Sequence, residues 1–146
     1  MDLVRLRSML APGASGIEAL HTIDDFRAAA KRRLPRMVWD FVDGGADGEI
    51  AVSANRRALD DVLFSPRFLV DVSEREQTTK IFGEEVRTPL ILSPSGLATV
   101  VHPDGEVAVA RAAADAGVIF GVSTASGYTM EEIAEASSGR LWFQLY

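Results

Sequence analysis

The side chains best placed for chemistry are Ser95, Ser123, Gln144 and Tyr146. Gln144 and Tyr146 alternate with the apolar Leu141, Phe143 and Leu145, so Trp142, Gln144 and Tyr146 share one face of an extended segment. Polar groups at the end of a buried strand need hydrogen-bonding partners. Ser95 and Ser123 sit at the matching positions after two other apolar runs. Three strand ends carrying hydrogen-bonding groups point to a ligand site more readily than to three separate accidents. Spacing alone leaves open whether that face looks into a barrel lumen or toward covering helices. The other titratable residues read as structural. His21 and His102 are far apart, and His102 lies just before a helix start. Asp104 reads as a helix cap and Glu106 as a first-turn acid rather than as an acid/base pair. Trp142 and Phe143 read as packing residues. There is no cysteine, which excludes disulfides, thiolate metal sites and a cysteine nucleophile. No GxGxxG, GxxxxGK[ST] or HExxH motif occurs, and we assign no metal site.

The elements that position these residues are read as follows. Leu90-Ile-Leu92 is a short apolar run of the kind that forms a strand buried on both faces. Pro94 stops it, because proline lacks the donor a central ladder needs. A loop of small residues follows, and a helix begins after Asp104. Val107, Ala110, Arg111 and Ala114 recur at helical spacing, and Gly117 ends the helix. Val118 to Val122 is the next strand. Thr129-Met-Glu-Glu132 is a capping box, and Leu141 to Tyr146 is a third strand. The succession is strand-loop-helix-strand-loop-helix-strand. Parallel strands require such crossovers, and parallel α/β folds bind ligands at the carboxyl ends of their strands.

The preceding residues predict a helical cap. Thr22 caps a helix carrying Phe26, Ala29 and Ala30 inward, with Lys31-Arg-Arg33 at its end. Pro35 opens a second helix with Met37, Val38, Phe41 and Val42 on its apolar face, closed by Gly44-Gly45. Asp47 to Leu59 predicts a third. Val62-Leu-Phe64 and Phe68-Leu-Val70 read as short extended pieces, and residues 78–86 as a hairpin turning at Gly83-Glu84. Residues 1–20 read as a flexible leader, with a short amphipathic surface anchor as the alternative, and 21–146 as one domain.

The chain has 146 residues, 47% of them hydrophobic, and a net charge of −6. That is enough for one domain with a core. A basic footprint is missing, so nucleic acid is not an expected partner. No apolar run approaches the roughly 20 residues of a membrane helix, and the first residues do not read as a signal peptide. A cytoplasmic location is expected, with peripheral membrane association left open.

Several segments stand out together: Leu34-Pro-Arg-Met-Val-Trp-Asp-Phe-Val-Asp-Gly-Gly-Ala46, Asn55, Ser65-Pro-Arg67, Val70-Asp-Val72, Pro94-Ser-Gly96, His102-Pro-Asp-Gly-Glu106, Ala110-Arg-Ala-Ala113 and Phe143-Gln-Leu-Tyr146. As a set they resemble the FMN-dependent α-hydroxy acid dehydrogenases and oxidases, a family that includes glycolate oxidase, L-lactate dehydrogenase and mandelate dehydrogenase. The resemblance covers roughly residues 22 to 146, in the family's order and with similar spacing. It implies an α/β fold, the N-terminal portion of a (β/α)8 TIM barrel, with about three strands preceded by a helical cap. It also implies FMN as cofactor and oxidation of a small 2-hydroxy acid to a 2-oxo acid. On this resemblance the Pro94-Ser95-Gly96 backbone lies beside the flavin ring. Ser123 and Gln144 hydrogen-bond the ring's polar edge, and Tyr146 is the active-site tyrosine that contacts substrate. Phe41 falls where many members carry a second tyrosine toward the substrate carboxylate. Gly96 and Ala125 replace larger residues of some members, which implies a roomier pocket and a larger or aromatic acid.

A barrel of this kind needs about 250 residues. The segments in which the family carries its lysine, its histidine base, its substrate-binding arginine and its phosphate loops have no counterpart here. Three readings follow: part of a longer protein, a chain completed by a second one, or a truncated remnant that binds flavin weakly or serves in assembly. A complete protein of this family is expected to be a homo-oligomer.

Overall fold

The computed structural model describes residues 16–146. Most of the expected leader therefore lies outside the described residues; Gly16–Ala19 form a single 3₁₀ turn. The chain divides into two compact units, with the boundary between Val62 and Leu63.

The first unit is helical. Helix α1 spans Ile23–Arg33, and Thr22 caps it as predicted. The Thr22 hydroxyl accepts from the Asp25 N–H at 3.1 Å, and the Asp25 carboxylate accepts from the Thr22 N–H at 2.9 Å. Helix α2 spans Arg36–Asp43, with Pro35 at its N-cap and Gly44 at its C-cap. A two-pronged Arg27–Asp43 pair, at 2.5 and 2.9 Å, ties α1 to α2. Helix α3 spans Ile50–Asp60 and starts later than predicted. Asp47 and Glu49 both have positive φ, so the chain turns left-handed before the helix can begin. The expected inward faces of α1 and α2 are not buried. Phe26, Met37, Phe41 and Val42 are all exposed, and no described residue of this unit is buried.

The second unit carries the sheet. Strands β1 (Thr79–Ile81) and β2 (Glu84–Val86) form an antiparallel hairpin. It turns at Phe82-Gly83, one residue earlier than predicted, and both have positive φ, as a type I′ two-residue turn requires. The pieces expected at 62–64 and 68–70 join no ladder. Then come β3 (Ile91–Leu92), α4 (Ala98–Val101), α5 (Gly105–Ala116), β4 (Ile119–Val122), α6 (Met130–Ala136) and β5 (Leu141–Phe143). The three strands are parallel in the order β3-β4-β5, with Leu92 opposite Phe120 and Val122 opposite Phe143. The predicted βαβαβ succession is thus observed.

The core lies between β4 and its two helices, where Ala110, Ala113, Val118, Phe120, Val122 and Ile133 pack together. Burial is concentrated on the central strand. The predicted buried strand Leu90–Leu92 shortens to β3, whose Ile91 and Leu92 are each 39% exposed, because β3 pairs with β4 along one edge only. Trp142 and Phe143, expected as packing residues, stay partly exposed, and the Trp142 ring tilts against Phe82 of the hairpin at 5.5 Å. Gly117 ends α5 in the left-handed conformation (φ 70°), as its position predicts. Asp104 departs from expectation. It occupies the N-cap of α5 but makes no side-chain cap bond, and its own N–H donates to His102 Nδ1 at 3.2 Å. The Thr129 capping box of α6 forms in full with Glu132.

Candidate functional site

The candidate site is the edge where β3, β4 and β5 end. Pro94 ends β3 and folds back over β4. A methyl group on Gly121 would lie 2.9 Å from Pro94 Cδ, so only glycine admits that approach. Two residues later, a methyl on Gly96 would lie 2.9 Å from Ala125 Cβ and 3.2 Å from Ser123 Oγ. The loops after β3 and β4 therefore touch. A backbone bond joins them, Leu97 N–H to Ala125 O at 2.9 Å.

Ser123 is 4% exposed at the end of β4. Its hydroxyl accepts from the Ala125 N–H at 3.1 Å and donates to Gln144 Oε1 at 3.3 Å. Gln144 extends the parallel ladder one residue past β5, its N–H donating to Val122 O at 2.9 Å. The Thr124 hydroxyl donates to the Gln144 carbonyl. Gln144 is thus held at its backbone by β4 and Thr124 and at its side chain by Ser123. With Oε1 accepting from Ser123, the other end of the amide is the nitrogen, a group with two donors.

The structure brings Gly96, Ser123, Ala125 and Gln144 together, and places Pro94 and Ser95 on the same loop as Gly96. Ser95 is exposed. Tyr146 lies two residues beyond Gln144 and is 90% exposed. Phe41 belongs to the helical unit, on α2, and is 68% exposed there.

Sequence reasoning missed two participants. Thr124 stands beside Ser123 at a strand end, and that position was the available signal. The sequence places Glu106 only as a first-turn acid. It is in fact 1% exposed, and its Oε1 accepts from the Ala98 N–H at 3.2 Å and the Gly127 N–H at 3.3 Å. Nothing in the spacing distinguishes a buried first-turn carboxylate from a solvated one.

A parallel β/α array whose strand ends carry a joined hydroxyl and carboxamide belongs to the class that binds ligands at the carboxyl ends of its strands. Residues 30–146 match the model of the FMN-dependent dehydrogenase family, and the chain belongs to that family. (S)-Mandelate dehydrogenase of Pseudomonas putida is 42% identical over 127 residues, covering 87% of this chain and 32% of that protein. L-Lactate dehydrogenase of Pseudomonas syringae pv. syringae is 44% identical over 127 residues, covering 87% of this chain and 33% of the relative. The crystal structure of a soluble mutant of the membrane-associated mandelate dehydrogenase superposes with a TM-score of 0.81 at 42% identity. That match covers 87% of this chain and 36% of the other. The chain therefore spans about a third of the length of the relatives it matches. The family is FMN-dependent, and the α/β succession seen here is consistent with part of a barrel. Among the described residues no helix is long and apolar enough to cross a membrane.

Proposed function

We propose that residues 21–146 form the N-terminal part of a (β/α)8 barrel that oxidises a 2-hydroxy acid to a 2-oxo acid with FMN. The observation that carries this reading is the Ser123–Gln144 pair, fixed at the ends of two neighbouring parallel strands beside the small residues Gly96 and Ala125. A neutral hydroxyl and carboxamide suit the polar edge of a flavin ring, which offers both donors and acceptors. In this reading Ser123 and Gln144 hold that edge, and the Pro94-Ser95-Gly96 backbone lies along the ring. Tyr146 contacts the substrate as a catalytic residue. By the family resemblance, Phe41 stands at the position where many members carry a tyrosine for the substrate carboxylate, and it lacks that hydroxyl; such a bond to a charged group is worth roughly 1.5–3 kcal/mol. FMN held there would supply the acceptor for the two electrons lost as the carbinol carbon of the acid becomes a carbonyl. The small side chain of Ala125 suits a substrate with a large side chain, and a relative is named for mandelate, a 2-hydroxy acid with an aromatic one. The complete protein is a homo-oligomer in this reading.

The test is the visible spectrum of the complete FMN-loaded protein before and after anaerobic addition of mandelate or lactate. Bleaching of the flavin band, greater with mandelate, supports the reading; no bleaching with any 2-hydroxy acid overturns it. The same titration on this 146-residue chain alone decides whether it suffices. Free-flavin absorbance there would assign the reaction to a longer protein or to a complex with a completing chain.

A further inference from the structure

Glu106 stands apart from every other carboxylate described. It sits in the first turn of α5 and is 1% exposed. One oxygen, Oε1, accepts two backbone N–H groups, from Ala98 and from Gly127. The other, Oε2, is buried with no hydrogen-bond partner among the described residues. A buried oxygen without a partner costs stability, while Oε1 satisfies backbone donors from two separate segments at once.

The two amides it holds belong to different segments. Ala98 lies two residues after Gly96 and opens α4 at the end of the loop from β3. Gly127 lies two residues after Ala125, in the loop from β4. Thr99 fills the junction. A methyl on Gly105 would lie 2.7 Å from Thr99 Cγ2, and a methyl on Gly127 would run into the Thr99 side chain. Glycine at both positions lets the loops close around the Glu106 carboxylate. Tyr128 adds a further tie, its hydroxyl donating to Pro103 O at 2.8 Å.

We propose that Glu106 is a positioning residue for the reaction: by holding Ala98 and Gly127 on one oxygen, it fixes Gly96 relative to Ser123 and Ala125. It touches neither substrate nor cofactor and acts through the two loops. The inference rests on the 2-hydroxy acid chemistry proposed above.

Three variants of the complete FMN-bound protein separate reach from side-chain type. Glu106→Gln keeps an oxygen at the same reach. Glu106→Asp keeps the carboxyl group but falls one methylene short, and Glu106→Ala removes the acceptor. Amide hydrogen exchange is the first readout. The Ala98 and Gly127 amides stay protected in Glu106→Gln and lose protection in the other two. Turnover is the second. kcat falls about 10- to 100-fold in Glu106→Asp and Glu106→Ala, as misplacement of reacting groups does, while KM moves less and the visible circular dichroism of the flavin changes. Glu106→Gln keeps kcat within a few-fold, although its buried amide nitrogen finds no partner and lowers thermal stability. A purely structural residue would instead make kcat follow thermal stability through all three variants. Unchanged exchange in Glu106→Asp, with the Leu97–Ala125 bond holding the loops unaided, overturns the inference. So does a Glu106→Gln variant as slow as Glu106→Asp. A wild type that neither holds FMN nor oxidises any 2-hydroxy acid overturns the proposed function, and the positioning role of Glu106 with it, while the exchange data still report whether the brace exists.

Discussion

The Ser123 hydroxyl donates to Gln144 Oε1 at 3.3 Å and so fixes which end of the Gln144 amide points outward. Removing that hydroxyl in Ser123→Ala frees the amide to rotate and leaves the Ala125 N–H without its 3.1 Å acceptor. One neutral hydrogen bond is worth about 1 kcal/mol, which corresponds to roughly fivefold weaker FMN binding. A fluorescence titration of the complete protein measures this. Unchanged affinity would remove the pair from the cofactor site.

Gly96 and Ala125 are mechanically coupled, because a methyl on the first would press on the second at 2.9 Å. A methyl added at Gly96 does not simply narrow a substrate pocket. The added methyl points at Ala125 and Ser123. Overpacking of this kind typically costs about 1–3 kcal/mol. Gly96→Ala is therefore expected to lower thermal stability, and Ala125→Gly in the same chain to restore much of it. The double-mutant cycle should show a coupling of at least about 0.5 kcal/mol. Additive effects would mean that the loops move apart freely. Ala125→Trp is the cleaner probe of substrate size, and it is expected to raise preference for glycolate over mandelate.

The legible features were local ones. The capping box at Thr129, the glycine stop at 117 and the strand-helix-strand rhythm each depend on a few adjacent residues, and each is observed. The polar strand ends were legible too, since Ser123 and Gln144 stand where apolar runs stop. What spacing could not carry was burial. Glu106 lies in a first turn like many solvated acids, and only the approach of two loops removes it from water. Asp104 has the right side chain for a cap, yet helical backbone angles at that residue leave the side chain without its cap bond. Ile91 and Leu92 have buried-strand composition, but pairing on one edge alone leaves them partly exposed.

The two capping boxes predict an acid limb in the stability profile. The Glu132 carboxyl is held below its ordinary range by the Thr129 backbone N–H and then by the Thr129 hydroxyl. The Asp25 carboxyl is likewise lowered, first by the Thr22 side chain and then by the His21 and Thr22 backbone N–H groups. A carboxyl lowered on folding contributes stability fully above its unfolded value, and that contribution is lost as pH falls through the folded one. The loss is thus expected below the ordinary carboxylate range of about 4. Thermal melts from pH 6 downward should show it, and the Glu132→Gln and Asp25→Asn pair should flatten it. Thr129→Ala should cost about 1 kcal/mol at neutral pH. An acid limb that is unchanged in the paired variant would assign the loss to other carboxylates.

Gly117 provides a control at the opposite end of β4 from Ser123. Its φ of 70° is left-handed, which costs a residue with Cβ about 1–2 kcal/mol. Its N–H donates to Ala114 O at 3.0 Å, closing α5 before the strand begins. A methyl there would also lie 2.5 Å from Arg87 Cδ and 3.1 Å from Arg87 Cγ. Gly117→Ala thus meets two separable penalties, one in the backbone and one against a flexible side chain. Arg87→Ala in the Gly117→Ala background removes the second and leaves the first. The expected order of thermal stability is wild type, then the double variant, then Gly117→Ala. Activity per folded molecule should stay at the wild-type level throughout, because the penalty falls where β4 begins and the candidate site lies where it ends. A loss of turnover in folded Gly117→Ala would mean that strain at Gly117 travels along β4 to Ser123, and the candidate site would then have to be treated as coupled to the whole strand.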